Sequence, residues 1–499
     1  MSPVVIILTL ALYLVLLFGV AWWASRHSSN STFFTGGRTT HRGVAAVAMV
    51  GAAMSGVTYI SVPGTVIADH FSYLQTTLGF FVGYLIIAFV LVPIYYRLGV
   101  VSLYEYLDRR FGVLTHRTGA WLFFISKILA ASLRAYVVCV VLQSLLFERY
   151  DIPFALNAAL MMTLVWLYTY RGGVRTVVWT EMVKTLLMVG SIVASILLIA
   201  RYMGLDLEGV VATVAHHDYA EVFFFDNPLD GRYFWKQFLA GIFLVVAMTG
   251  LDQDMMQTVL SCRNVRDSQR SLLISIVVQM VVVLLFLSLG VLFYAFLFER
   301  GVVPTNDALP LVDGGGEVVV ARGDDLFGYV ATMCGLPSIV GVLFLLGLAA
   351  STYSAAGSAL TALTTSFTLD ILDGGKRDEL SLKRLRRGVH VAIAIAMCLI
   401  IIAFDRWSAS GVITLIFTMA SYTYGPLLGM FLFGILSRRR VQVAVTTVLA
   451  ILSPVVCYII ASHSEEWFGG YSFSYEILIL NAAITFIGMS IFSRRAEGA

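Results

Sequence analysis

The sequence predicts an all-helical integral membrane protein of about thirteen transmembrane helices, arranged around two inverted five-helix repeats. Three observations lead there. The 499 residues are 59% hydrophobic and only 13% charged, with a mean hydropathy of +0.87, whereas soluble domains carry roughly 25% charged residues. The apolar residues fall into stretches long enough to cross ~30 Å of hydrocarbon, which takes about 20 residues of helix. Two of those stretches are interrupted, lie five spans apart and run in opposite directions, as an inverted repeat requires.

In order, the expected spans are Pro3 to Trp23, Gly43 to Val66, Leu74 to Leu98, Thr118 to Phe147, Phe154 to Tyr170, Thr176 to Ala200, Tyr233 to Gln257, Ser271 to Phe298, Leu336 to Leu369, Gly388 to Phe404, Gly411 to Leu436, Val441 to Ala461 and Ser474 to Phe492. The fifth and tenth are the shortest. The first is read as a span rather than a signal peptide, because its apolar run is long, it lacks a basic leader, and Trp22, Trp23 and Arg26 form an interfacial stop. Together they make one polytopic domain over 1–499, with repeat one at about 43–202, repeat two at about 233–436, and peripheral helices at about 3–23, 441–461 and 474–492.

Charge position sets the expected orientation. With the amino terminus outside, 23 Lys and Arg residues fall in inner loops and 6 in outer ones, the bias that retains basic loops in the cytoplasm. The carboxyl terminus is then cytoplasmic, in a plasma or bacterial inner membrane. Four basic residues, Lys127, Arg134, Lys184 and Lys236, lie within spans. The net charge of +3 gives no case for nucleic-acid binding, and the five dispersed cysteines have no metal or redox spacing.

The second span carries Gly51, Gly56, Gly64, Pro63 and the hydroxyls of Ser55, Thr58, Tyr59 and Ser61 where lipid-facing leucines would otherwise stand. Pro63-Gly64 weakens a continuous helix; a tight crossing of small residues is the alternative. The seventh span has a milder interruption at Met248-Thr249-Gly250-Leu251-Asp252-Gln253-Asp254. Such breaks free backbone groups near the midplane for ions and substrate.

Five strings in order resemble segments of the sodium:solute symporter family. They are Thr32-Phe33-Phe34-Thr35-Gly36-Gly37-Arg38, Ser102-Leu103-Tyr104-Glu105-Tyr106-Leu107-Asp108, Tyr170-Arg171-Gly172-Gly173-Val174-Arg175, Asp252-Gln253-Asp254-Met255-Met256-Gln257 and Thr364-Thr365-Ser366-Phe367-Thr368-Leu369-Asp370. The resemblance implies a LeuT-like fold with one helix before the ten-helix core and two after it. It also implies secondary active transport, sodium-coupled symport of a small polar organic solute by alternating access, with no enzymatic activity and no cofactor beyond the coupling ion.

By that resemblance the sodium ligands are backbone carbonyls of Gly51, Met54 and Ser351 and the hydroxyl of Ser354. The second hydroxyl expected beside Ser354 is replaced by Ala355; a register slipped by three would use Ser351 and Thr352 instead. Family members usually carry Asp where this chain has Glu181, and a neutral residue at Lys184. Glu181 and Lys184, three apart, share a helix face and can pair, and each is costly in lipid at ~2.5–3.5 kcal/mol. Either the pair is structural, or the Lys184 ammonium takes the place of sodium and transport is proton-coupled or cation-independent.

Candidate substrate contacts are Ser55, Thr58, Tyr59 and Ser61 on the first broken helix, Tyr73, Gln75 and Thr77 on the next, Gln253 on the second broken helix, and Thr418 and Tyr422 on core helix ten. Sugar-transporting relatives place a Glu-Gln pair where Val57-Thr58 stands, which disfavours a hexose held in that manner. Asp252 and Asp254 are expected to cap or pair at the inner helix end. Arg134 either meets a carboxylate substrate or, like Lys127, pairs with an intramembrane acid such as Glu181; Lys236 snorkels. An intramembrane enzyme using the Asp252/Asp254 D-x-D spacing is the alternative of another class, weakened by the lack of a soluble catalytic domain. Repeated charged rings expected of a channel are absent from the sequence.

Overall fold

The computed structural model describes residues 3–26, 29–305, 310–407 and 412–494. Gly411, the expected start of the eleventh span, and Arg495, one of the inner-loop arginines, lie outside them. Helices are numbered here in chain order. α1 (Pro3–Ala24) is followed by the bent pair α2 (Arg42–Ala53) and α3 (Gly56–Asp69), then α4 (Tyr73–Leu98), α5 (Val113–Leu142), α6 (Phe154–Thr169) and α7 (Val174–Tyr202). A second bent pair, α8 (Phe234–Gly250) and α9 (Gln253–Leu260), precedes α10 (Val265–Phe298), α11 (Ser338–Ile371), α12 (Glu379–Trp407), α13 (Val412–Leu436), α14 (Val443–Ser462) and α15 (Ile477–Ile491).

Among the described residues nine helices are long and apolar enough to cross a membrane, and each bent pair adds one more. α6 and α15 are apolar but shorter, at 16 and 15 residues, or ~23 Å. The expected count of thirteen depends on those two. The tenth expected span is longer than its apolar run suggests: α12 covers 29 residues and carries Lys383, Arg384, Arg386 and Arg387 on helix rather than in a loop.

At the centre, α2 packs on α7 and α10, and α11 on α5 and α7; α1 lies against α7 and α11, and α14 and α15 lean on α13. The packed side of α11 is nearly all small or hydroxylated, with Ser351, Thr352, Ser354, Ser358, Thr361, Thr364 and Thr365 buried. Small side chains let backbones approach closely where lipid supplies no hydrophobic drive for association. The longest loops are not bare. One folds a three-stranded antiparallel sheet and a helix, Gly323–Met333, that packs against α3.

Candidate functional site

The two breaks are built differently. In the first, Met54 and Ser55 are extended, and the helix turns by 61° between α2 and α3. Ser55 starts α3 as a capping box. The Thr58 amide donates to Ser55 Oγ at 3.4 Å, and the Ser55 amide donates to Thr58 Oγ1 at 3.3 Å, satisfying donors that a helix start leaves open. Pro63 and Gly64, expected at the break, lie inside continuous α3. Gly64 is needed for packing, since a Cβ there would collide with the backbone of Gly323, and its carbonyl accepts from Tyr294 at 2.7 Å.

The second break bends by 70° after a π-turn at Val246–Gly250. Asp252 caps α9, accepting from the amides of Asp254 at 2.9 Å and Met255 at 3.2 Å. Its carboxylate also takes Lys127 Nζ at 3.1 and 3.2 Å and Tyr424 Oη at 2.5 Å. Asp254 takes Lys127 Nζ at 2.7 Å and the Ser358 hydroxyl. Lys127 thus pairs with the second break and not with Glu181. Both carboxylates are engaged within the bundle, so the D-x-D spacing presents no free pair to hold a metal-bound phosphate.

Between the breaks opens a cavity of roughly 1000 Å³ that runs from Ala52 and Asp252 at mid-bundle to the loops around His70, Arg232 and Ser474. That is ample for a small organic solute. Of the expected substrate contacts, Ser55, Thr58, Tyr73, Thr418 and Tyr422 line it. Five others point elsewhere. Tyr59 is sealed among Phe286, Phe327 and Phe344, with its hydroxyl 3.0 Å from Ser191. Ser61 is buried away from the cavity, and Thr77 bonds back to the Tyr73 carbonyl at 2.9 Å. Gln75 fastens a loop: its amide donates to the Arg232 carbonyl at 2.8 Å and accepts from the Phe224 amide at 3.2 Å. Gln253 donates to the Val101 carbonyl and accepts from the Leu103 amide, each at 2.9 Å. Four of these therefore hold the scaffold, and Ser61 Oγ has no hydrogen-bond partner among the described residues. Lys236, expected to snorkel, instead donates to the Ser472 carbonyl at 2.7 Å and sits 3.4 Å from Glu476.

Arg134, one face of α5 above Lys127, lines both this cavity and a void of about 10 Å³ beneath it, which Glu181, Asp254 and Ser358 also line. Among the described residues its guanidinium makes no hydrogen bond and no ion pair, although Asp252 and Asp254 lie in its field.

The cation candidates meet at α2, α7 and α11. Glu181 and Lys184 are wholly buried and 3.0 Å apart. Gly51 lies so close to α7 that a Cβ would fall 2.8 Å from the Glu181 carbonyl and 2.9 Å from its carboxylate, and would overlap Thr185. Ser351 and Thr352 spend their hydroxyls on the Leu348 carbonyl, at 2.9 Å each. Ser354 sits beside Glu181, yet among the described residues Ser354 Oγ and Glu181 Oε1 have no hydrogen-bond partner. A hydroxyl and a carboxylate oxygen side by side, each short of a well-aligned partner, offer the oxygen ligands that a hard cation takes. Gly51 also accepts the Met54 amide at 3.1 Å.

One cluster escaped the sequence reading. At the end opposite the cavity, Asp370 takes the hydroxyls of Ser102 at 2.7 Å and Ser366 at 2.8 Å, and lies 2.9 Å from His116 Nε2. It ties α11 to α5 and to the loop that Gln253 grips. Only the recurrence of Ser102 and Asp370 in two of the five strings hinted at it.

Two oppositely directed broken helices flanking a mid-bundle cavity, with outlying helices on both sides, define a membrane bundle of the LeuT-like class. The sodium:solute symporter family model matches residues 33–448, and the chain belongs to that family. It is 25% identical over 438 residues to the human sodium/iodide cotransporter, covering 85% of this chain and 64% of the relative. To bovine sodium-coupled monocarboxylate transporter 2 it is 24% identical over 428 residues, covering 82% and 64%. The chain therefore spans about 64% of the length of these curated relatives. Among solved structures, a Na+-coupled sialic acid symporter in a substrate-bound outward-open state matches with a TM-score of 0.79 at 18% identity, covering 99% of each chain.

Proposed function

We propose that the protein is a secondary active transporter that carries a small organic anion bearing a carboxylate, coupled to sodium, by alternating access. Arg134 is the observation that carries the anion: a guanidinium with no partner among the described residues, facing the cavity between the two breaks. Arg binds carboxylates through paired, charge-assisted hydrogen bonds, and Ser55, Thr58, Tyr73, Thr418 and Tyr422 supply polar contacts around it. The names of relatives that carry monocarboxylates and sialic acid agree with an anion. Sodium is supported by the unpartnered Ser354 and Glu181 oxygens, and the engagement of Ser351 and Thr352 supports the register through Ser354. The basic bias of the inner loops supports an amino terminus outside and a carboxyl terminus in the cytoplasm, and in that orientation the cavity faces outward.

A second reading has its own observation. Lys184 already supplies a buried positive charge 3.0 Å from Glu181, in place of the cation, so transport would be proton-coupled or cation-independent. Uptake of labelled monocarboxylates, sialic acids, sugars and amino acids into proteoliposomes, with sodium or with choline, tests both. Sodium-dependent accumulation of an acid supports the first reading; accumulation undiminished in choline removes it. No accumulation of any acid under any gradient removes the anion assignment.

A further inference from the structure

At the end of the bundle opposite the cavity, three helix ends converge. They are the carboxyl end of α1 with Trp22 and Arg26, the turn after α6 with Tyr170 and Arg171, and the first turns of α12 from Glu379 to Arg387. They enclose roughly 520 Å³. Five cations, Arg26, Arg171, Lys383, Arg386 and Arg387, face this space with Glu379 as the one acid.

Aromatic rings, not carboxylates, position three of these cations. Arg26 lies over Trp22 at 4.1 Å, Arg387 over Tyr170 at 5.2 Å and Arg386 over Phe33 at 4.2 Å. Arg386 also donates to Asn30 Oδ1 at 2.9 Å. Among the described residues none of the five forms an ion pair. The positive charge is therefore held in place and left uncompensated, and the amino-terminal end of α12 adds its dipole to it.

The surroundings decide the kind of anion. Trp22, 61% exposed, sits where aromatic side chains meet the headgroup region. From the pocket, exposed apolar strips run up the bundle through Leu12 and Val15 on α1, Leu160 and Leu167 on α6, and Ile395 and Leu399 on α12. A cationic cup at the end of three helices that carry exposed apolar side chains fits a molecule with an anionic head and acyl chains. We infer that this pocket binds the phosphate headgroup of an anionic phospholipid. In the proposed orientation it lies in the cytoplasmic leaflet, where basic pockets between transmembrane helices recognise such headgroups.

The test is native mass spectrometry of the full-length protein in detergent, titrated with phosphatidylglycerol or with phosphatidylcholine of the same chains. The comparison protein carries Arg171→Gln and Arg387→Gln, both at exposed positions, and its melting temperature without added lipid serves as a folding control. At ~1 kcal/mol per basic residue near a membrane surface, the double variant loses phosphatidylglycerol affinity on the order of thirtyfold at low salt, with phosphatidylcholine unchanged. Arg406→Gln, at the far end of α12, leaves binding as it was. Equal binding of both lipids by the parent protein overturns the inference, as does an unchanged double variant. Displacement of the lipid by millimolar inorganic phosphate or glycerol phosphate reassigns the pocket to a soluble anion and also overturns it.

Discussion

Lys127 is the single ammonium between two buried carboxylates at the second break, 3.1 Å from Asp252 and 2.7 Å from Asp254, with all three side chains at 10% exposure or less. Lys127→Met keeps the volume and removes the charge, leaving two like charges side by side at the floor of the cavity, both nearly buried. Stranding one member of a buried pair costs about 3–5 kcal/mol, which over 499 residues lowers the melting temperature by about 3–5 °C. The assay is thermal unfolding in detergent followed with a thiol-reactive fluorogenic dye, because Cys139, Cys262, Cys334 and Cys457 are buried until the bundle opens. The diagnostic variant adds Asp252→Asn and Asp254→Asn to Lys127→Met. Asn still caps α9 and still accepts from Tyr424 and Ser358, so the triple variant regains most of the lost stability through a coupling term that independent sites lack. A Lys127→Met protein melting within about a degree of the parent, or a triple variant no better than the single, refutes the charge argument.

Arg134→Gln raises the KM for a carboxylate substrate by roughly 10- to 100-fold, the worth of a charge-assisted hydrogen bond, with the melting temperature unchanged; concentration-dependent uptake measures it. Ser354→Ala raises the sodium concentration for half-maximal uptake at least about tenfold, whereas Ser351→Ala and Thr352→Ala, whose hydroxyls serve Leu348, leave it near the parent value. Lys184→Gln with transport unchanged in both sodium and choline sinks the substitute-cation reading. Gly51→Ala pushes a methyl group onto Glu181 and Thr185 and costs about 1–3 kcal/mol, read as a lower melting temperature. Arg232 donates to Asp230 and holds its carboxyl below the ordinary value of 3.8. A depressed carboxylate stabilises the fold above that value and loses the effect as pH falls through its folded pKa, so the protection of amides in the loop 227–233, taken relative to their intrinsic exchange rates, falls only below about pH 4.

How much was legible divides along physical lines. The two interruptions showed because glycines and hydroxyls replaced leucine in otherwise apolar runs, a composition that lipid does not favour. Within the run from Met49 to Gly64, Pro63 attracts attention, but Gly64 serves close packing against Gly323, while the turn itself is made by Met54 and Ser55. A run of hydroxyls does not say which face each one takes. Two extended residues reset the helical phase, and at ~100° per residue Ser55 and Thr58 reach the cavity while Tyr59 and Ser61 turn away from it. Gln75 and Gln253 are polar groups buried for loops that follow or precede them by about 150 residues, and no periodicity carries such a distance. Lys127 and Arg134 were recognised as costly, but which one had a partner required the fold.

Asp252 and Gln253 are consecutive, yet one lines the open cavity and the other clasps the backbone of Val101 and Leu103 at the closed end. At this point adjacent residues of one segment serve the two sides of the bundle. A solute that draws Lys127 away from Asp252 acts on a residue whose immediate neighbour fastens the far side. Opening that side then has to release the two hydrogen bonds of Gln253 and the Ser102, Ser366 and His116 contacts of Asp370, together with the apolar packing of Leu103, Leu107, Leu251 and Met256 beside them. The polar contacts can be exchanged for water as they part, so the larger share of the cost of opening the closed end falls on the apolar packing.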